Sequence, residues 1–293
     1  MRLVSYWQNG TLWPGLEEGG RVVDATSVHR FAGPPTIRGL LAAGSDRLVE
    51  AVTRARDVLR TRSDGSFSVE DLRLGPPLPD PDKILCLGFN YAEHASELSE
   101  KIPLAPNIFA KFRNCLVGPD DPIMLPAVSQ EIDYEGELAV VIGTRCRNVT
   151  EADALSYVAG YSAFDDVSAR DLQFQTSQFT AGKALDTFAP MGPGIALTEE
   201  VGDPQSLRIR TRVNGAVMQD GATADMVFPV AATISFISRL MTLEPGDIIA
   251  TGTPYGVGYK RTPPVYLRPG DTVEVEIERV GCIRNLFVAA EPT

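Results

Sequence analysis

At 293 residues, with 44% hydrophobic and 22% charged residues, the chain has the composition of an ordinary globular protein with ample core, either one large domain or a small one joined to a larger. Its formal net charge of −11 argues against a nucleic-acid groove or an anionic membrane surface as partner. Met1 to Gln8 lacks the apolar run of a signal peptide, and no stretch is apolar for the roughly 18 residues a membrane span needs, so the expected location is cytoplasmic.

In chain order, residues 3 to 7 and 20 to 25 read as short strands around Asn9-Gly10, a dipeptide suited to a tight hairpin turn. From Ser45, Leu48, Val52, Ala55 and Leu59 recur at helical spacing. Residues 62 to 82 break that pattern, because Pro76, Pro77, Pro79 and Pro81 suit neither helix nor central strand. Residues 1–75 are therefore expected to form a small N-terminal α/β module, with a linker to about 82 and the main domain over 83–293. Beyond Lys83 strands dominate: Ile84 to Leu87, Ile108 to Phe112, Ile123 to Leu125, Asp133 to Gly143, residues 158 to 164, a hairpin about Asn214-Gly215, Asp247 to Thr251, and Thr272 to Val288. Helices are expected over 90–98, over 151–157 behind the cap Thr150, and from Pro229 to about Met241. Many strands with marginal helices predict an α+β domain built on a curled sheet. Cys86, Cys115, Cys146 and Cys282 are too far apart for a metal or redox pair and are expected as buried free thiols.

Chemistry concentrates in five segments. In Asp133-Tyr134-Glu135-Gly136-Glu137, the two-residue period of a strand turns Glu135 and Glu137 the same way. Paired carboxylates repel unless a cation lies between them, and hard divalent ions favour such ligands; two solvated glutamates would leave the same pattern. Asp165-Asp166 ends the next strand, with Ser168 placed to cap a short helix, and an aspartate there is well placed as a third ligand. On a helix over Asn90 to Leu98, His94 and Glu97 lie three apart on one face. Gly182-Lys183 and Thr251-Gly252-Thr253-Pro254 complete the set; the glycine-rich loop matches neither the P-loop nor the dinucleotide fingerprint.

Together and in this order, these segments resemble the fumarylacetoacetate hydrolase superfamily, within it the bacterial branch of acylpyruvases and 2-hydroxyhepta-2,4-diene-1,7-dioate isomerases. The resemblance covers about residues 80 to 288. It implies a mixed β-roll catalytic domain, with one Mg2+ or Mn2+ held by Glu135, Glu137 and Asp166. Asp165 stands where relatives often have Asn and would support the ligands from behind. His94 and Glu97 match the family's histidine–glutamate dyad, on a segment that relatives order over the substrate; Glu93 replaces a common Asp beside it. Lys183 matches the active-site lysine, and Gln173 and Thr253 match positions that hold the substrate carboxylate.

The implied reaction is hydrolysis of the C3–C4 bond of a 2,4-dioxo acid, such as an acylpyruvate or fumarylpyruvate, to pyruvate and a carboxylic acid. Cleavage leaves an enolate that the metal stabilises as a Lewis acid. His94, oriented by Glu97, would deprotonate the attacking water, and Lys183 would stabilise the oxyanion. The same metal and enolate also serve oxaloacetate decarboxylation, keto–enol tautomerisation, and isomerisation or dehydration of other 2-oxo acids; the dyad favours hydrolysis. A metal-binding protein without turnover is the alternative outside enzymes. The acyl group is expected to face residues 98 to 107, Phe174 to Thr180 and Tyr255 to Arg261, where Lys260 and Arg261 hint at a second acidic group on the substrate. Family members are usually homodimers, so a homodimer is expected here.

Overall fold

The computed structural model describes residues 1–61, 65–92 and 103–290. Asn9 and Gly10 take left-handed φ angles of 51° and 76° and close a hairpin, as expected. Its second strand is Thr11–Glu18, paired with Arg2–Gln8 from Arg2↔Glu17 to Gln8↔Thr11. Pro14 and Gly15 within it disguise it in the sequence. The expected strand at residues 20 to 25 is instead the third, Arg21–Asp24, lying against Thr11–Glu18. The helix Ser45–Thr61 buries Ala51, Val52 and Ala55 and turns its arginines outward. Within residues 65–82, Phe67–Ser68 pairs with Arg21–Asp24 and Leu74–Gly75 with Arg2–Gln8, so this stretch lies along the N-terminal strands.

The first strand joins these elements to the rest of the chain: Arg2 and Leu3 pair with Ala196 and Ile195 on Ala189–Leu197. From there the sheet runs through Val158–Asp165, Gly136–Ile142, Ile248–Ala250 and Ile84–Gly88 to Asn107–Lys111. A second sheet of five strands is ordered Ala216–Ala222, Arg208–Val213, Thr272–Ile277, Gly281–Ala289, Ile123–Leu125. The helix Val230–Leu240 begins behind Pro229, as expected. The architecture is α+β, as the strand-rich pattern predicts.

Every residue of Gly136–Ile142 is buried, because the strand separates two cores. Leu138, Val140 and Ile142 face the five-stranded sheet, packing with Ile209, Val275 and Ile283. Ala139 and Val141 face the other way, with Ile84, Cys86 and the helix residues Ala51 and Ala55. Glu137 shares the alternation of Ala139 and Val141, which sets a carboxylate at the edge of the second core. Gly136 permits the sheets to cross closely: a Cβ there would lie 2.2 Å from Thr211 Oγ1 and 3.1 Å from Val275 Cγ1.

Four expectations need correction. The strand expected from Asp133 to Gly143 is two, Ile132–Asp133 paired with Ser168–Ala169 and then Gly136–Ile142, with Tyr134 and Glu135 between. Ser168 caps no helix; it lies in that two-residue ladder and its Oγ donates to Asp166 O at 2.8 Å, while Ala169 precedes the turn Arg170–Gln173. The helix expected over 151–157 is α-helical only over Glu151–Ala154 and tightens to a 3₁₀ turn over Leu155–Tyr157. Cys86, Cys115 and Cys146 are buried free thiols, but Cys282 is exposed, because outward residues alternate with buried Ile283 and Asn285 on its strand.

Candidate active site

Glu135, Glu137 and Asp166 converge where three strand ends meet, and each offers an oxygen within 4.8 Å of those of the other two. Hydrogen bonds between the chain segments set this arrangement. Glu135 N donates to Asp165 Oδ1 at 2.8 Å, and Asp166 N returns a bond to Glu135 O at 2.9 Å. Glu137 Oε2 accepts from Gly252 N at 2.8 Å. Gly252 has φ +92°, and a Cβ there would lie 2.9 Å from Asn90 Cβ, so a larger residue would push this N–H out of place.

Cations flank the carboxylates. Lys183 Nζ, fully buried, donates to Glu135 Oε2 at 2.5 Å and to Asp166 Oδ2 at 2.8 Å. Lys111 Nζ lies 2.7 Å from the other Asp166 oxygen and donates to Val167 O, Phe188 O and, by a shorter contact, Lys183 O. Arg170 donates from Nε and Nη2 to Asp133 Oδ2 at 2.9 and 2.8 Å, from Nη2 to Glu135 Oε1 at 2.7 Å, and from Nη1 to Gln173 Oε1 at 2.9 Å. Its guanidinium also packs over the Tyr259 ring, 4.3 Å from the centroid. Asp133 holds the other side, accepting from Gly258 N at 2.7 Å and Tyr259 N at 3.1 Å.

The titration directions follow from this crowding. Burial pushes the Glu137 carboxyl well up, and the like charges of Asp166 and Glu135 add to it. Asp165 is pushed up to about 7, chiefly by burial. Burial alone would lower Lys183, but Asp166 and Glu135 outweigh it and hold the ammonium protonated. Asp133, Glu135, Glu137 and Asp166 thus face three cations, Lys111, Arg170 and Lys183, with Asp165 on the edge of ionisation. The three converging carboxylates offer hard oxygen donors whose mutual repulsion a divalent cation would offset; the residues present fit one held by Glu135, Glu137 and Asp166.

The site also opens onto a cavity. Gln173 and Thr253 line it with Glu135, Glu137, Arg170 and Lys183. Arg170 takes the Gln173 carbonyl oxygen, which leaves the amide N–H groups as that side chain's donors toward the cavity. The Thr253 hydroxyl donates to Gly136 O at 2.9 Å and accepts from Gln219 Nε2 at 2.7 Å, fixing the loop against the strand. The structure thus brings together Glu135, Glu137, Asp166, Lys183, Gln173 and Thr253. His94 and Glu97 lie outside the described residues. Lys111 and Asp133 were not anticipated as members of the cluster; the one signal for Lys111 is a lysine that shares a strand face with Phe109. Arg261 bonds back to Gly256 O and Met218 O rather than reaching into the cavity.

A buried acidic triad, paired with lysine and arginine beside a cavity, marks a class of site whose donors could hold a divalent cation. Comparison with known proteins narrows the class. The family model "Fumarylacetoacetate (FAA) hydrolase C-terminal" matches residues 83–288, and the chain belongs to this family. A mitochondrial oxaloacetate tautomerase of Bos taurus is 43% identical over 296 residues, covering 98% of this chain and 92% of that protein. Among solved structures, the fumarylacetoacetate hydrolase of Exiguobacterium antarcticum is 38% identical with a TM-score of 0.85, covering 99% of this chain and all of that one. The 2-hydroxyhepta-2,4-diene-1,7-dioate isomerase of Mycobacterium marinum is 34% identical with a TM-score of 0.76, the two chains covering each other fully. Among the described residues no helix is long and apolar enough to cross a membrane.

Proposed function

We propose that this enzyme enolises a 2-oxo acid, and that its reaction is keto–enol tautomerisation of an oxaloacetate-like substrate. The observation that carries this reading is Lys183, whose ammonium lies 2.5 and 2.8 Å from two members of the acidic triad at the cavity wall. The likeness to oxaloacetate tautomerases over 98% of the chain supports tautomerisation as the outcome.

Glu135, Glu137 and Asp166 would hold one Mg2+ or Mn2+, which supplies Lewis-acid charge beside the 2-oxo group. The Gln173 amide offers donors to the substrate carboxylate, held in place by Arg170, which Asp133 and Tyr259 fix in turn. In tautomerisation the C3–H bond breaks, its electron pair becomes the C2–C3 double bond, and a proton arrives on the C2 oxygen. Lys183 Nζ holds a proton for that oxygen, in a buried setting where its charge is little screened. His94, with Glu97 as its partner, is the base that the sequence offers for the C3 proton.

A second reading, hydrolytic C–C cleavage of an acylpyruvate, keeps the support of the His94 and Glu97 spacing and of the likeness to a fumarylacetoacetate hydrolase. One experiment decides: metal-stripped protein is assayed with and without Mg2+ or Mn2+, following the enol absorbance of oxaloacetate and, separately, release of pyruvate from acetylpyruvate. Metal-dependent loss of enol signal without acetylpyruvate cleavage is expected, falling about 100-fold or more in Lys183→Met. Cleavage of acetylpyruvate, lost in His94→Ala, would establish the second reading. No metal-dependent reaction with either compound would overturn both.

A further inference from the structure

The polar groups occupy only part of the cavity wall. Phe89, Phe109, Phe174 and Phe179 line most of the rest, with Leu87, Gly88 and Tyr259, and the four phenylalanines come from three separated segments of the chain. Phe179 is the centre of the group: its ring meets Phe109 edge-on at 5.6 Å and Phe89 edge-on at 6.2 Å. It also lies over Gly88, where a Cβ would come 3.4 Å from its ring. Phe174 stacks obliquely on Tyr259 at 5.6 Å and is 53% exposed, which sets it at the rim.

Phe89 is held there against its backbone preference. Its φ of +59° is left-handed, uncommon for a bulky aromatic residue, and such outliers persist where the surroundings over-determine them. Here Asn90 supplies the anchor. Its Nδ2 donates to Thr251 O at 2.7 Å and Phe228 O at 3.1 Å, its Oδ1 accepts from Phe228 N at 2.8 Å, and its carbonyl accepts from Val227 N at 2.7 Å.

Of the described residues lining this cavity, Arg170 and Lys183 are the cations, and both already hold carboxylates. Among the described residues, the aromatic wall therefore offers a second carboxylate no cation of its own, and it offers an apolar group phenylalanine rings to pack against. We infer that these four phenylalanines form a receptor for an apolar tail, so that the site takes 2-oxo acids bearing an aryl or alkyl group, arylpyruvates among them, and enolises them as well. This rests on the reading of the polar end as a receptor for the 2-oxo acid head. The step needs no co-reactant: the C3–H proton goes to a base, the C2–C3 double bond forms, and a proton is taken up at the C2 oxygen.

The test is calorimetric titration of Mg2+-loaded protein with pyruvate and with phenylpyruvate, which share a head and differ in the tail. Phenylpyruvate is expected to bind about tenfold tighter or more. Phe179→Ala should remove most of that ratio, with pyruvate binding changed by less than about twofold. Phe174→Ser, at an exposed position where folding is not at stake, should lower phenylpyruvate affinity by about two- to threefold. A wild-type ratio near one, or equal losses for both ligands in the variants, would overturn the tail receptor even if oxaloacetate is tautomerised. Tight, tail-dependent binding without tautomerisation of oxaloacetate would leave the receptor standing and overturn the proposed reaction. Binding of neither ligand would overturn the receptor together with the head-group reading.

Discussion

Two clusters of paired opposite charges stand in opposite surroundings in this molecule. At the N-terminal edge Arg56 reaches Glu18, Glu199 and Glu200 at 3.0, 2.8 and 3.1 Å, and the Met1 ammonium pairs with Glu200 and Glu18. Those side chains, Met1 apart, are 38–54% exposed. At the acidic triad, Lys111, Lys183, Arg170, Asp133, Glu135 and Asp166 make contacts of similar length with side chains at most 8% exposed. Water screens the first cluster, so each pair contributes at most about 1 kcal/mol. The second was taken out of water at high cost, and losing one partner there leaves an uncompensated buried charge. A fold seldom keeps such an assembly for stability, and a charged substrate or ion accounts for it better.

The largest effect should follow Lys111→Met, which strips Asp166 of one cation and three backbone carbonyls of their donor. A loss of about 3–5 kcal/mol is expected, seen as a fall in Tm on the order of 10 °C. An unchanged Tm would mean that the buried cluster is no costlier to break than the exposed one. Loading with divalent metal should move the comparison the other way, because a ligand at 100 times its Kd stabilises by about 2.7 kcal/mol. Thermal melts of stripped protein with and without Mn2+ measure this. Arg56→Ala should cost about 1 kcal/mol or less at neutral pH despite losing three carboxylate contacts.

The smallest effect is a pH dependence at Glu200. The Met1 ammonium holds its carboxyl below the usual glutamate range, first by the hydrogen bond and then by charge. A folded-state value below the unfolded one means that the pair's contribution is present above the ordinary glutamate pKa and fades as pH falls through the lowered one. With 40% of the Glu200 side chain exposed, the contribution is a few tenths of a kcal/mol. Denaturant midpoints of wild type and Glu200→Gln should therefore differ slightly at pH 7 and converge under acid.

The acidic triad was legible because its members sit in short local patterns, Glu135-Gly136-Glu137 and Asp165-Asp166 at a strand end. What surrounds it was not. Arg170 and Asp133 are 37 residues apart, and Lys111 meets Asp166 across 55, so nothing in either neighbourhood announces the partner. A lone lysine ending an apolar strand reads as an edge residue reaching for water. The hairpin at Asn9-Gly10 was legible from its turn, but Pro14 and Gly15 hid its second strand, because the expected alternation fails there although the ladder does not. The aromatic wall was half legible. Phe174 to Thr180 and Tyr255 to Arg261 were expected beside the substrate, and Phe174, Phe179 and Tyr259 line the cavity. Phe109 lies on a strand whose apolar residues read as core, Phe89 follows the end of another, Ile84–Gly88, and its left-handed backbone is held by Asn90's distant bonds.

The central claim is that the buried cluster is a receptor for one divalent ion, and calorimetric titration of Mn2+ into the metal-stripped protein tests it most directly. One ion per chain is expected, with affinity at least about tenfold weaker in Glu137→Gln and unchanged in Arg56→Ala. No binding, or binding equally strong in Glu137→Gln, would contradict the account.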